Sequence, residues 1–143
     1  MTASRILSEK GSDVFTVRPS DTLVEAASTL SRHKVGAAIA LDAEGRPAGV
    51  FSERDLAKAV GAHGAAALDK TVDEVMSTSL VCADPGTSID DLMGLMTERR
   101  VRHIIILEDG RLAGVVSIGD VVKRKIAEAE AEAESLKAYI EGA

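Results

Sequence analysis

The sequence predicts an α/β fold of the α+β kind, made of two similar halves. Each half reads β-α-β-β-α, and the two pack sheet to sheet about a pseudo-twofold axis, followed by a C-terminal helix. Three observations carry this. The stretch Gly49–Lys58 (GVFSERDLAK) returns as Gly114–Lys123 (GVVSIGDVVK). Its flanks return with it: Pro19 matches Pro85, Val35 matches Val101 and Ile39 matches Ile105, each 66 residues apart. Between these landmarks, helical spacing of apolar residues alternates with short apolar runs of strand length. A period near 65 residues is too long for a solenoid repeat. It suits a half-domain that cannot bury its sheet alone. At 143 residues the chain is long enough for one domain with a core of its own.

The elements follow in order. Residues 4–10 (SRILSEK) read as a short helical lead-in with Ser4 as a possible cap. Val14–Val17 is a strand closed by Arg18 and Pro19. Thr22 and Glu25 have capping-box spacing, and Leu23, Ala26, Ala27 and Leu30 continue a helix to His33. Val35–Leu41 is a continuous apolar run, as in a strand buried on both faces. Asp42–Arg46 is a turn, Ala48–Phe51 a strand, and Ser52 opens a helix that Gly61 is expected to stop near Val60. Gly61–Lys70 is an Ala- and Gly-rich connector, readable as a helix extension or a loop. Thr71–Met76 is a second lead-in, and the pattern then repeats. Leu80–Ala83 is a strand, Ser88 and Asp91 cap a helix, Val101–Leu107 and Ala113–Val116 are strands, and Ser117 opens the last helix. The division is 4–62 for the first repeat, 63–70 for the connector, 71–125 for the second repeat and 126–143 for the tail.

In the tail, Ile126, Ala129, Ala133, Leu136 and Ile140 are spaced 3, 4, 3, 4, the pattern of a coiled-coil seam. Three arrangements fit it: a helix laid on its own domain, a solvated tail, or a helix paired across a homodimer. With two to three heptads and Ala in the seam, it is too weak to hold a dimer alone.

Composition narrows the function. Apolar residues make up 45% of the chain and aromatic residues 2%, with no Trp, so the core is aliphatic. The net charge of −6 disfavours nucleic acid, and so does the shortage of aromatic stacking platforms. Cys82 is the only cysteine, which fits a reducing compartment, and it reads as a small buried hydrophobe in a strand. The opening MTASRILSEKG has no long apolar run, and no stretch approaches the ~18 apolar residues of a membrane helix. A soluble cytoplasmic protein is expected.

Within the repeated motif, a Ser is followed three residues later by an Asp at the mouth of a helix: Ser52 with Asp55, and Ser117 with Asp120. This spacing is that of a capping pair. It also suits a sugar phosphate. A carboxylate only accepts hydrogen bonds, so one Asp can take both hydroxyls of a ribose, and a helix N-terminus suits a phosphate. The residues leave both readings open.

Two copies of G-h-h-S-x-x-D-h (h apolar), each preceded by an apolar strand and a Gly-containing turn, resemble a tandem pair of cystathionine-β-synthase (CBS) domains over residues 4–125. The SERD and RVRH…SIGDVVK forms are similar to small stand-alone bacterial CBS-pair proteins. The resemblance implies a regulatory, energy- or redox-sensing module and not an enzyme. It implies binding of an adenosyl ligand (AMP, ADP, ATP, NAD(H) or S-adenosylmethionine) between the repeats, dimerisation, and signalling to an unknown target protein. It implies that Ser52, Asp55, Ser117 and Asp120 contact ligand, each Asp holding ribose hydroxyls. Arg102 and His103 stand where related domains place phosphate-contacting basic residues; the first copy has Gly36 and Ala37 there, and Arg54 beside Asp55 instead. The two clefts are therefore unequal, and the Asp120 site is expected to be the tighter. As plain structural residues, Arg102 is a surface ion-pair partner and His103 a strand histidine. With so few aromatics the adenine must lie between aliphatic side chains, with Val17 and Ile39 as candidates for one site and Val81, Ile104 and Ile105 for the other. Many relatives read H-x-P-V where this chain reads HIII, a departure at the strand's edge. The alternative is a ligand-free interaction module whose motif residues only cap helices. No P-loop, nucleophile elbow or metal-ligand spacing among His33, His63, His103 and Cys82 suggests catalysis or a metal.

Overall fold

Thr22 and Ser88 begin the same construction 66 residues apart. Each hydroxyl accepts the backbone N–H three residues on, Glu25 at 3.2 Å and Asp91 at 3.1 Å, and so starts an 11-residue helix: α2 (Leu23–His33) and α5 (Ile89–Arg99). Both helices end on a left-handed residue that is not glycine, Lys34 at φ 55° and Arg100 at φ 54°. The computed structural model describes residues 1–11 and 14–142. Around these helices the chain runs α1 (Ala3–Lys10), β1 (Thr16–Val17), α2, β2 (Ala37–Leu41), β3 (Pro47–Ser52), α3 (Glu53–His63), a 3-10 segment (Gly64–Asp69) and α4 (Val72–Val75). It continues as β4 (Cys82–Ala83), α5, β5 (His103–Glu108), β6 (Arg111–Ser117) and α6 (Ile118–Gly142).

The strands form two three-stranded sheets, β1-β2-β3 and β4-β5-β6, each with one parallel and one antiparallel pairing. The registers repeat pair for pair. Thr16 opposes Ile39 as Cys82 opposes Ile105, Ile39 opposes Val50 as Ile105 opposes Val115, and both antiparallel ladders slip at the same place, Ala40/Leu41 and Ile106/Leu107. In each sheet one face is covered by helices. Ala38, Ala40 and Phe51 pack with Leu23 and Leu30, and Ile104, Ile106 and Val116 with Leu92 and Met96. The other faces carry Ile39 and Val50 on one side and Ile105 and Val115 on the other, and these four line a common cleft. The sheet-to-sheet arrangement with twofold-related halves is therefore as expected.

Several elements are bounded differently from the sequence reading, for local reasons. The long strands begin at 37 and 103, because the N–H groups of Val35 and Val101 close the preceding helices by bonding Leu30 O and Met96 O. The edge strands shrink to two residues, and the preceding Val14, Phe15, Leu80 and Val81 line the cleft, with Phe15 O and Val81 O still accepting from Ile39 N and Ile105 N. Gly61 does not stop α3. The helix runs to His63 and ends at Gly64, which adopts φ 63°, and the connector then winds into the 3-10 segment. Cys82 is exposed, not buried, because strand alternation puts it on the face opposite Val81 and Ala83, at a sheet edge. The last helix and the tail are one continuous helix of 25 residues, α6, whose buried residues are Val121 and Arg124 near its start.

The lead-in helices are exchanged. α1 precedes the first repeat but packs in the second core, where Ala3 and Ile6 are fully buried. Ala67 of the 3-10 segment and Val72 of α4 precede the second repeat but lie in the first core. The anchoring bonds are twofold-related. Ala3 N and Ser4 N donate to Thr87 O and Pro85 O, as Val72 N and Asp73 N donate to Asp21 O and Pro19 O, all at 2.9–3.0 Å. The motif glycines receive these lead-ins. A Cβ on Gly49 would stand 2.6 Å from Met76 Sδ, and one on Gly114 would stand 2.6 Å from Leu7 Cδ2.

Candidate functional site

The two unhelixed sheet faces do not close on each other. They leave a cleft of about 450 Å3, large enough for a small organic ligand. Its walls are apolar: Ile39 and Val50 from one sheet, Ile105 and Val115 from the other, with Phe15 and Val81 from the segments entering the edge strands. Polar groups are few and come from Lys10, Ser79, His103 and Ser117, while Gly36 and Ala37 supply backbone without bulk.

Five residues expected at a site do line this cleft: Ile39, Val81, His103, Ile105 and Ser117. Val17 and Ile104 do not. They are 4% and 0% exposed within the first and second cores, because alternation sends each to the helix-covered face. Arg102 and Arg54 are exposed, lie outside the cleft lining, and form no ion pair among the described residues, so Arg102 has no surface salt bridge there. Ser52 is half-buried at the start of α3. Asp55 borders a separate shallow hollow of about 200 Å3 with Lys58, His63 and Val75.

Both Ser/Asp pairs are reciprocal caps. Asp55 N donates to Ser52 Oγ at 3.2 Å, and Ser52 N donates to Asp55 Oδ2 at 2.9 Å. In the second copy, Asp120 N donates to Ser117 Oγ at 3.1 Å, and Ser117 N to Asp120 Oδ2 at 2.8 Å. The first helical N–H is satisfied alike in each, Glu53 N by Gly36 O and Ile118 N by Arg102 O. Only Ser117 of the second pair lines the cleft. The Asp120 carboxylate stands behind it, its side chain 17% exposed.

The copies then diverge. Lys10, at the end of the exchanged α1, donates from Nζ to Asp120 Oδ2 at 2.7 Å and to Val115 O at 2.9 Å. Counting from Leu7 and Met76, which cover the two motif glycines, Lys10 corresponds to Ser79. Both line the cleft, one charged and one neutral. Burial works against the Asp120 charge, but hydrogen bonds from Lys10 and Ser117 outweigh it and hold the carboxyl below its usual range.

Sequence reading missed Lys10 and Phe15. Lys10 sits in a segment that looks local to the first repeat, and only the exchange of lead-ins brings it to Asp120. Phe15 is one of two Phe in the chain. An aromatic directly before a cleft strand was the available signal. Its ring stacks on His33 at 4.3 Å and 20° and lines the cleft, so the apolar walls are not wholly aliphatic. Among the described residues, no cluster of three or more His, Cys, Asp or Glu is placed to hold a metal, and no helix is long and apolar enough to cross a membrane.

Comparison with known proteins bears on the same residues. The CBS domain model matches residues 5–62 and 72–126. A mitochondrial CBS domain-containing protein of Arabidopsis thaliana is 33% identical over 126 residues, a match that covers 85% of this chain and 61% of that protein's length. The CBS domain-containing protein YhcV of Bacillus subtilis is 38% identical over 108 residues, covering 76% of each chain. Among solved structures, a CBS-domain containing protein from Agrobacterium tumefaciens is 46% identical and superimposes with a TM-score of 0.76, covering 87% of this chain and 92% of the other. A CBS domain protein from Pyrobaculum aerophilum, solved complexed with AMP, has the same fold at a TM-score of 0.71, with 24% identity over 84% of this chain and 89% of that one.

Proposed function

This chain belongs to the CBS domain family, and from that premise we propose that it is a cytoplasmic regulatory module that binds an adenine nucleotide between its repeats. The observation that carries the reading is the cleft itself: apolar walls from both halves, with Lys10, His103 and Ser117 gathered at one end and Asp120 behind them. In this reading the adenine lies between the two sheets against Ile39, Ile105 and Phe15. The ribose hydroxyls take the place of Lys10 on Asp120. The released Lys10 ammonium then meets the phosphate, with His103 in the same cleft lining. A neutral nucleoside offers Lys10 no new partner, so the site favours ligands that carry phosphate. The Ser79 side of the cleft brings no cation and binds more weakly.

Occupancy links residues of both sheets and of α1, so it biases how the halves pack, and a target protein reads that packing. By linkage the target changes nucleotide affinity by the same factor. The reading involves no turnover, no nucleic acid and no membrane.

Thermal shift with AMP, ADP, ATP, NAD(H), S-adenosylmethionine and adenosine tests it. A ligand at a hundredfold excess over Kd adds about 2.7 kcal/mol of stability. The expected result is a clear shift with a phosphate-bearing adenine ligand, lost in Asp120→Asn. Lys10→Met is expected to cut the preference for that ligand over adenosine about tenfold, with Lys10→Arg retaining it. No shift with any of the six at millimolar concentration refutes the reading and leaves the motif pairs as helix caps in an interaction module.

A further inference from the structure

The helix α6 leaves the domain with an apolar stripe uncovered. Val122, Ile126, Leu136 and Ile140 are 47%, 54%, 60% and 67% exposed, and Ala129 and Ala133 between them are exposed as well. The helix's own buried residues, Val121 and Arg124, lie on a different face near its start. Ion pairs from Arg124 to Glu9 and from Lys125 to Asp90 fix that start to the domain. The stripe is therefore neither part of the core nor able to fold back onto it. Its spacing is heptad: Ile126, Ala133 and Ile140 take the a positions, and Val122, Ala129 and Leu136 take d.

We propose that a second copy of this chain covers the stripe, the two α6 helices pairing in parallel as a short coiled coil. The flanking charges choose both occupant and direction. The g positions are Lys125, Glu132 and Tyr139, and the e positions are Lys123, Glu130 and Lys137. In a parallel pair each g side chain meets the e side chain five residues on in the other helix. Glu132 then meets Lys137, an attractive pair, while Lys125, which keeps Asp90 of its own chain at 2.7 Å, lies beside Glu130 of the other helix. An antiparallel pair sets g against g and e against e, which brings Glu132 to Glu132. Within a parallel coiled coil, Ile at two a positions with Leu at one d position favours two strands over three or four. A parallel pair places both domains at the same end, so the clefts of the two copies are held side by side. With two Ala layers the pairing is weak and depends on protein concentration. It does not depend on the ligand reading.

Sedimentation equilibrium over roughly 5–500 µM protein tests the proposal by mass action. Self-association is expected, weakened at least tenfold by Leu136→Glu with Ile140→Glu, while far-UV circular dichroism keeps the domain signal. Lys137→Glu alone weakens it, and adding Glu132→Lys restores it. In a Cys82→Ser background, Leu136→Cys is expected to give a 136–136 disulfide dimer on mild oxidation. A chain that stays monomeric, or association that the double Glu variant leaves unchanged, overturns the proposal. So does cross-linking that occurs only between Ile126→Cys and Leu136→Cys chains, which marks an antiparallel pair.

Discussion

At the scale of single residues, Asp120 caps a helix and anchors a lysine at once. Its carboxyl titrates below the unfolded value of about 3.9. A carboxylate with a lowered folded pKa adds stability above the unfolded pKa and loses it as pH falls through the folded one. Asp120→Asn is therefore expected to cost on the order of 1 kcal/mol at pH 7, the scale of charge-assisted hydrogen bonds at a partly exposed site. That difference should shrink as pH falls below about 4, the unfolded carboxylate value, and through the lowered folded one, and urea midpoints of the two proteins at neutral and acid pH measure it. The Asp was legible in the sequence because its motif recurs. Its lysine was not, since the two residues are 110 positions apart and no local pattern links them. Val17 and Ile104 were misplaced for a different reason. In the run Ile104–Ile106, and in so short a stretch as Val14–Val17, composition does not say which alternate residue faces the helices and which the cleft.

At the scale of elements, the glycines of the repeated motif explain themselves through the lead-ins. Gly49 sits where a Cβ would be 2.7 Å from Ser77 O, a carbonyl held by the bond from Val50 N at 2.9 Å. Gly114 faces only the flexible end of Leu7. Gly49→Ala is therefore expected to destabilise by about 3 kcal/mol and Gly114→Ala by about 1 kcal/mol, the two ends of the usual cost of overpacking. Chemical denaturation of the pair reads the difference. Element order was legible because helical spacing alternates with short apolar runs and the whole pattern occurs twice. Element ends were not, because they depend on which N–H the neighbouring helix claims, as at Val35 and Val101.

At the scale of the whole molecule, the exchanged lead-ins tie each half to the other's sequence. Ile6 is fully buried in the second core, so Ile6→Ala is expected to cost about 2–5 kcal/mol. The loss should show as faster hydrogen exchange in β5 and β6 before β2 and β3, even though Ile6 precedes the first repeat. Uniform loss in both sheets would mean that the halves unfold as one unit. The repeat itself made the two-sheet architecture legible; the crossing of α1 to the far half was not, because both placements satisfy the same local pattern. The exchange also bears on how the chain is made. Lys10 leaves the ribosome 110 residues ahead of its partner Asp120. At about 5–20 residues per second, α1 waits on the order of 5–20 s with Ile6 and Leu7 unsheltered. α1 is thus made ahead of the other elements described and is among the last to find its place, and α4, emerging beside a sheet already made, has no such wait.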